Sequence, residues 1–319
     1  MPDAVIVSAV RTAAGKAPSG TLRTTRPDDM RDGLVGDFLR EVNSPDDSSV
    51  GAALTLAQVA YPRLEPAQWI GELDVMGARA RQHLEIGLGG HPPRRTRLRV
   101  VSEFFFGQLG FTGNREHYED PRNSFLNDVI ARRTGIPISL AVVFMEVARR
   151  AGLTVEGVNF PGHFLMRCPA EPGEPGDAET LIVDPFHGGA VLSEDDCLRL
   201  LRTHAGAEKL LEPGMLESAG KRAIVLRMLL NLKRSFVRMR SFQQARDVAE
   251  LLVALDPSAL TELRDRGLLA SHLRDYASAL GDLESWLQRM DAQDEAGRGE
   301  VKEVWDHVKA LRRRLASLN

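Results

Sequence analysis

Ser139, His163 and Asp184 supply, in chain order, a hydroxyl nucleophile, an imidazole base and a carboxylate to orient that base. Such a trio would run acyl transfer or amide hydrolysis, because a serine hydroxyl attacks only when a neighbouring imidazole takes its proton. Ser139 falls in the first turn of a helix opened by Pro137, where unpaired backbone N–H groups and the helix dipole favour an anion. A cysteine at the helix start would ionise readily; a serine gains far less. Pro137, Ile138 and Ser139 stand there instead. Each residue also has an ordinary role, Ser139 as a cap, His163 after Pro-Gly and Asp184 before Pro185 as turn residues. His187, three residues past Asp184, adds a third possible metal ligand. That spacing matches no metal-site signature, so no metal or cofactor is expected.

The elements around these residues are legible. From Ile138 to Ala148 only Ser139 and Glu146 are polar, so this helix is buried nearly all round, with Gly152 as its stop. Strands are predicted over 155–158, 164–168 and 181–183, with a surface hairpin loop over 169–179. Strand alternation sets His163, Leu165 and Arg167 on one face and Cys168 on the other, so Cys168 is not a stand-in nucleophile. Ser193 with Asp196 reads as a capping box opening a further helix. Upstream, Leu98, Val101, Phe105 and Leu109 mark a helix, and Phe104–Phe106 reads as core packing rather than a ligand slot. The basic run Arg94–Arg99 reads as the solvated start of that helix.

With 319 residues, 43% hydrophobic and 27% charged, the chain has room for two cores. A net charge of -3 makes no case for a nucleic-acid partner. No apolar run approaches the roughly 18 residues that span a bilayer, so no membrane partner is expected. Two cysteines and no secretion-signal layout fit a reducing cytoplasm.

Residues 213–319 read as helical, and a period of 34 recurs within them. Phe242 and Tyr276, Ala245 and Ala279, and Leu252 and Trp286 are each 34 apart, the period of tetratricopeptide helix pairs. Residues 1–50 differ from the rest, with a β-prone start, a helix over 32–42 and a linker over 43–49. The opening AVIVSAVRTAAGKAPSGTLRTTRPDD resembles the first strand and loop of thiolases. That match ends by about residue 36, includes no thiolase catalytic residue, and implies a loosely attached segment without thiolase activity.

The stretches YEDPRNSFLNDVIARRTGIPISLAVVF, VNFPGHFLMR, IVDPF and LDPSALTELRDRGLL are similar to bacterial SirB-type proteins. These join a transglutaminase-like core to tetratricopeptide repeats, and a similar core occurs in certain eukaryotic F-box proteins. The resemblance covers about residues 51–290 and implies an α+β fold, a papain-like core in which a buried helix packs on a small antiparallel sheet. It places Ser139 in the nucleophile region, His163 as base and Asp184 as orienting acid, with Asn123 and Arg133 supporting the cleft. The expected domains are 1–50, 51–212 for the transglutaminase-like core and 213–319 for the repeats. The expected function is that of a pseudoenzyme binding a peptide or protein partner through cleft and repeats. The alternative is an acyl-transfer or amide-hydrolysing enzyme using the Ser-His-Asp trio.

Overall fold

The computed structural model describes residues 27–87, 92–171, 179–290 and 295–317. The thiolase-like residues 1–26 and most of the predicted hairpin loop, 172–178, lie outside the described residues. The chain divides into two compact units: Val42–Ala57 with Leu64–Arg240, and Ser241 onward with Gln58–Arg63 and the described residues up to Glu41.

Helix α1 (Pro27–Val42) belongs, up to Glu41, to the second unit. In the first unit, helices α2 (Val50–Ala57), α3 (Pro66–Gly87) and α4 (Arg94–Ser102) precede a short parallel pair, β1 (Thr112–Gly113) with β2 (Thr134–Gly135). Between β1 and β2 lies α5 (Leu126–Arg132), and after β2 comes α6 (Pro137–Arg150). Pro137 suits the first helical turn, where its missing N–H costs nothing. The following apolar run packs α6 on α3 and on strands β3 (Glu156–Val158) and β4 (Leu165–Cys168). With β5 (Leu181–Asp184) and β6 (Ala190–Leu192) these strands form an antiparallel sheet in the order β3-β4-β5-β6. This is the expected α+β core, a buried helix on a small sheet.

Aromatic rings fill the space beside α6. Phe105 stacks on Phe111 at 4.1 Å and meets Phe144 edge-on at 5.2 Å, the geometries that ring quadrupoles favour. Phe104 and Phe105 are buried, as core packing requires. The basic run opens a helix with Arg95 and Arg99 exposed, as expected, but its first residue departs from that reading. Arg94 is fully buried, and its guanidinium donates to the carbonyls of Cys168 and Glu179, both at 2.7 Å. It thereby pins the base of the β4–β5 hairpin, whose backbone acceptors would otherwise lack these donors.

Two stretches assigned elsewhere from sequence belong to this unit. The linker over 43–49 is fastened down: Lys221 donates to the Ser44 carbonyl at 2.8 Å, and Ser48 to buried Glu146 at 2.7 Å. Helix α7 (Glu194–Ala205) starts at the expected Ser193–Asp196 capping box. After it comes α8 (Lys221–Arg238), grouped with the repeats in the sequence reading but part of the core unit here.

The second unit contains α9 (Phe242–Leu255), α10 (Leu260–His272), α11 (Tyr276–Arg289) and α12 (Glu295–Ala316). The period of 34 holds in three dimensions: Phe242 and Tyr276 open α9 and α11, and Arg240 and Arg274 both take left-handed backbone just before them. Leu263, Leu283, Trp286, Val304 and Val308 form its core. Arg266 ties three helices together by holding Glu250 and Asp282. Among the described residues, no helix is long and apolar enough to cross a membrane.

Candidate functional site

The site lies where the start of α6 approaches the loop before β4 and the end of β5. His163 sits in a Pro161–Gly162–His163 turn rather than in the strand, its N–H bonded to the Phe160 carbonyl at 3.2 Å. Strand alternation therefore does not govern its direction. Gly162 has φ +72°, and a Cβ there would stand 2.3 Å from the His204 Cβ, so the turn requires glycine. His204, from the last turn of α7, stacks on the His163 ring at 5.7 Å.

Asp184 is buried at the end of β5 and receives four N–H groups. His163 Nε2 lies 3.0 Å from Oδ1 and His187 Nδ1 lies 2.7 Å from Oδ2, while the backbone N–H groups of Phe186 and His187 donate to Oδ1. Burial by itself raises the Asp184 carboxyl, but the hydrogen bond and charge of His163, then the His187 and Phe186 bonds, outweigh it and bring the pKa down to about 2. With Nε2 given to Asp184, the His163 ring has Nδ1 left for the cleft that it lines.

Ser139 is brought into the same region and is turned away from this chemistry. Its side chain is fully buried. The hydroxyl donates to the Asn123 carbonyl at 2.5 Å and accepts the Ile136 N–H at 3.1 Å, closing the first turn of α6. None of the hydrogen bonds among the described residues joins it to His163. Asn123, also fully buried, is the hub of this corner. Its side chain donates to the His117 carbonyl at 2.7 Å and accepts from Asn114 at 3.0 Å. Arg133 ends α5 with left-handed backbone, its guanidinium 4.8 Å from the Phe111 ring centre.

The cleft beside His163 has a volume of about 390 Å³. Pro137 and Ile138 line it from α6, and Ile138, not Ser139, stands in the wall that contains His163. Sequence reasoning missed Tyr118, Arg227 and Arg234, which also line the cleft. Their one sequence signal, an arginine pair seven residues apart on α8, acquires meaning only once the fold is known.

His163, Asp184 and His187 each offer a ligand atom, and these atoms lie within 4.8 Å of one another. The trio has the donor types of a zinc-like site. As it stands, the two imidazoles serve as hydrogen-bond partners of one carboxylate.

The Transglutaminase-like superfamily profile matches residues 67–230, which contain α6, the sheet and the whole cleft up to Leu230. The chain belongs to this superfamily. A tetratricopeptide repeat profile follows at residues 232–305. Among relatives, a UPF0162 protein of Xylella fastidiosa is 40% identical over 195 residues, 60% of this chain and 67% of its own length. A UPF0162 protein of Vibrio cholerae is 28% identical over 66% of this chain and 76% of its own length. The human F-box only protein 21 is 32% identical over 182 residues, 55% of this chain but 28% of that longer protein.

Proposed function

We propose that this transglutaminase-like protein has lost or reduced catalysis and binds a peptide or protein partner through its cleft and its repeats. The observation that carries this reading is the state of Ser139. Its hydroxyl is fully buried, and its hydrogen bonds go to backbone groups of Asn123 and Ile136. The neighbouring wall residue, Ile138, has no nucleophilic atom. A general base without a nucleophile in reach cannot start acyl transfer. Tetratricopeptide repeats are protein-interaction modules, which supports partner binding.

A second reading, acyl transfer or amide hydrolysis by Ser139, His163 and Asp184, draws on the 3.0 Å His163–Asp184 contact, the arrangement that sets an imidazole up as base. One experiment separates the two. Wild-type protein is assayed with activated esters and fluorogenic peptide amides beside Ser139→Ala and His163→Ala. The expected result is no turnover above the variants. Hydrolysis lost in both variants would replace the proposal with the enzyme reading. In parallel, Ile138→Cys, with Cys168 and Cys197 replaced, is expected to react with iodoacetamide faster than an unperturbed thiol and to slow in a His163→Ala background. A rate insensitive to His163 would mean that position 138 does not face the imidazole.

A further inference from the structure

The cleft carries charge that the reading above leaves unused. Arg227 and Arg234 are seven residues apart, two turns along one face of α8, and both line the cleft. Elsewhere in the chain, half-buried arginines hold carboxylates: Arg266 grips Glu250 and Asp282, and Arg150 grips Asp74. Arg227 instead donates to the Asn159 side chain and, at 2.8 Å, to the Phe160 carbonyl, with its guanidinium 5.8 Å from the Phe164 ring centre. Neither Arg227 nor Arg234 makes an ion pair among the described residues. The acidic residue in the wall, Glu119, is taken by Arg238.

The remaining wall suits an anion as well. Asn231 adds a side-chain amide, and Tyr118 adds a hydroxyl that is protonated at neutral pH, as a phenol ordinarily is. Two planar, permanently charged donors with no internal carboxylate, Arg227 held in place by Asn159 and Phe160 and Arg234 exposed beside it, match a carboxylate better than any neutral group. Leu226 and Leu230, both half-buried, give the same wall apolar surface for an adjoining side chain.

We propose that the cleft recognises a carboxylate carried by a peptide, with Arg227 and Arg234 as the anion-binding pair. This deepens the peptide-binding reading and rests on it. Two sources share the chemistry: the C-terminal carboxylate of the peptide, or an internal Asp or Glu.

The test uses the full chain and a random heptapeptide library made in two forms, with a free C-terminal carboxylate and with a C-terminal amide. Binders are selected on wild-type protein and remeasured on Arg234→Gln, an exposed position whose substitution should leave the melting midpoint unchanged. Selected peptides are expected to weaken about tenfold or more on Arg234→Gln, the loss of one charge-assisted contact. An equal loss on amidation assigns the C-terminal carboxylate, and a loss confined to Asp→Asn or Glu→Gln exchange in the peptide assigns a side chain. Binders that are uncharged, or indifferent to Arg234→Gln, would overturn the carboxylate assignment while leaving peptide binding standing. Enrichment from neither library would overturn both readings. Arg227→Lys is the second variant. It keeps the charge but loses the planar fork, so weakening of the selected peptides is expected, and full retention would show that Arg227 is not a contact.

Discussion

The two flanks of the cleft have been treated differently by the same fold. On the sheet flank, His163 and Asp184 keep a directed, buried imidazole–carboxylate contact at 3.0 Å. On the α6 flank, the Ser139 hydroxyl is locked to the Asn123 carbonyl at 2.5 Å, and Ile138 meets the cleft in its place. A hydroxyl at a suitable place in the chain is therefore not a nucleophile by that fact. In a buried first turn, the strongest demand on it comes from unpaired backbone groups, and it is spent on them.

Breaking the sheet flank should have the largest effect. Gly162→Ala would force an L side chain to φ +72° and drive its Cβ into His204. A loss of about 3 kcal/mol or more is expected, combining backbone strain with overpacking. Chemical denaturation would measure it, and a loss below about 1 kcal/mol would mean that the turn holding His163 yields easily.

Asp184→Asn tests the carboxylate itself. Its folded pKa of about 2 lies below the ordinary aspartate value of 3.8, so the bound proton favours the unfolded chain. The stabilisation is thus fully present above about pH 4 and is lost as pH falls toward 2. The substitution should cost about 2 kcal/mol at pH 7 and flatten the acid limb of the stability curve over that window. An unchanged acid limb would show that the imidazoles do not hold this carboxylate ionised.

The α6 flank should respond least. Ser139→Ala removes a cap and leaves the Asn123 carbonyl and Ile136 N–H with only their long mutual bond of 3.4 Å, an expected loss of about 1 kcal/mol. Peptide binding in the cleft should remain within about twofold, since Ser139 is not in its wall. A stability-neutral substitution that abolished binding would reverse the comparison and return Ser139 to the functional surface.

Much of this was legible because it is local. The apolar run after Pro137 reads as a buried helix, and the unbroken apolar run before Asp184 reads as a strand, which is buried at every position. The 34-residue period announces stacked helix pairs, and Arg240 and Arg274 repeat it in the backbone itself. Arg94 shows where local reading ends. A charged run at a helix start is ordinarily solvated, and only the distant carbonyls of Cys168 and Glu179 explain why this arginine is buried.

The sequence by itself determined the main elements, their order, and a histidine just ahead of one sheet strand with an aspartate at the end of the next, because periodicity, caps and turn residues act over a few positions. Only the tertiary structure decided how those groups are used. Sixteen residues separate Ser139 from the Asn123 carbonyl that captures its hydroxyl. The loop before β4 meets α7 through the His163–His204 stack. The cleft acquires its charge from α8, which sequence had grouped with the repeats. Hydrogen bonds and uncompensated charges are settled by what packs alongside, and no spacing within one segment encodes that neighbour.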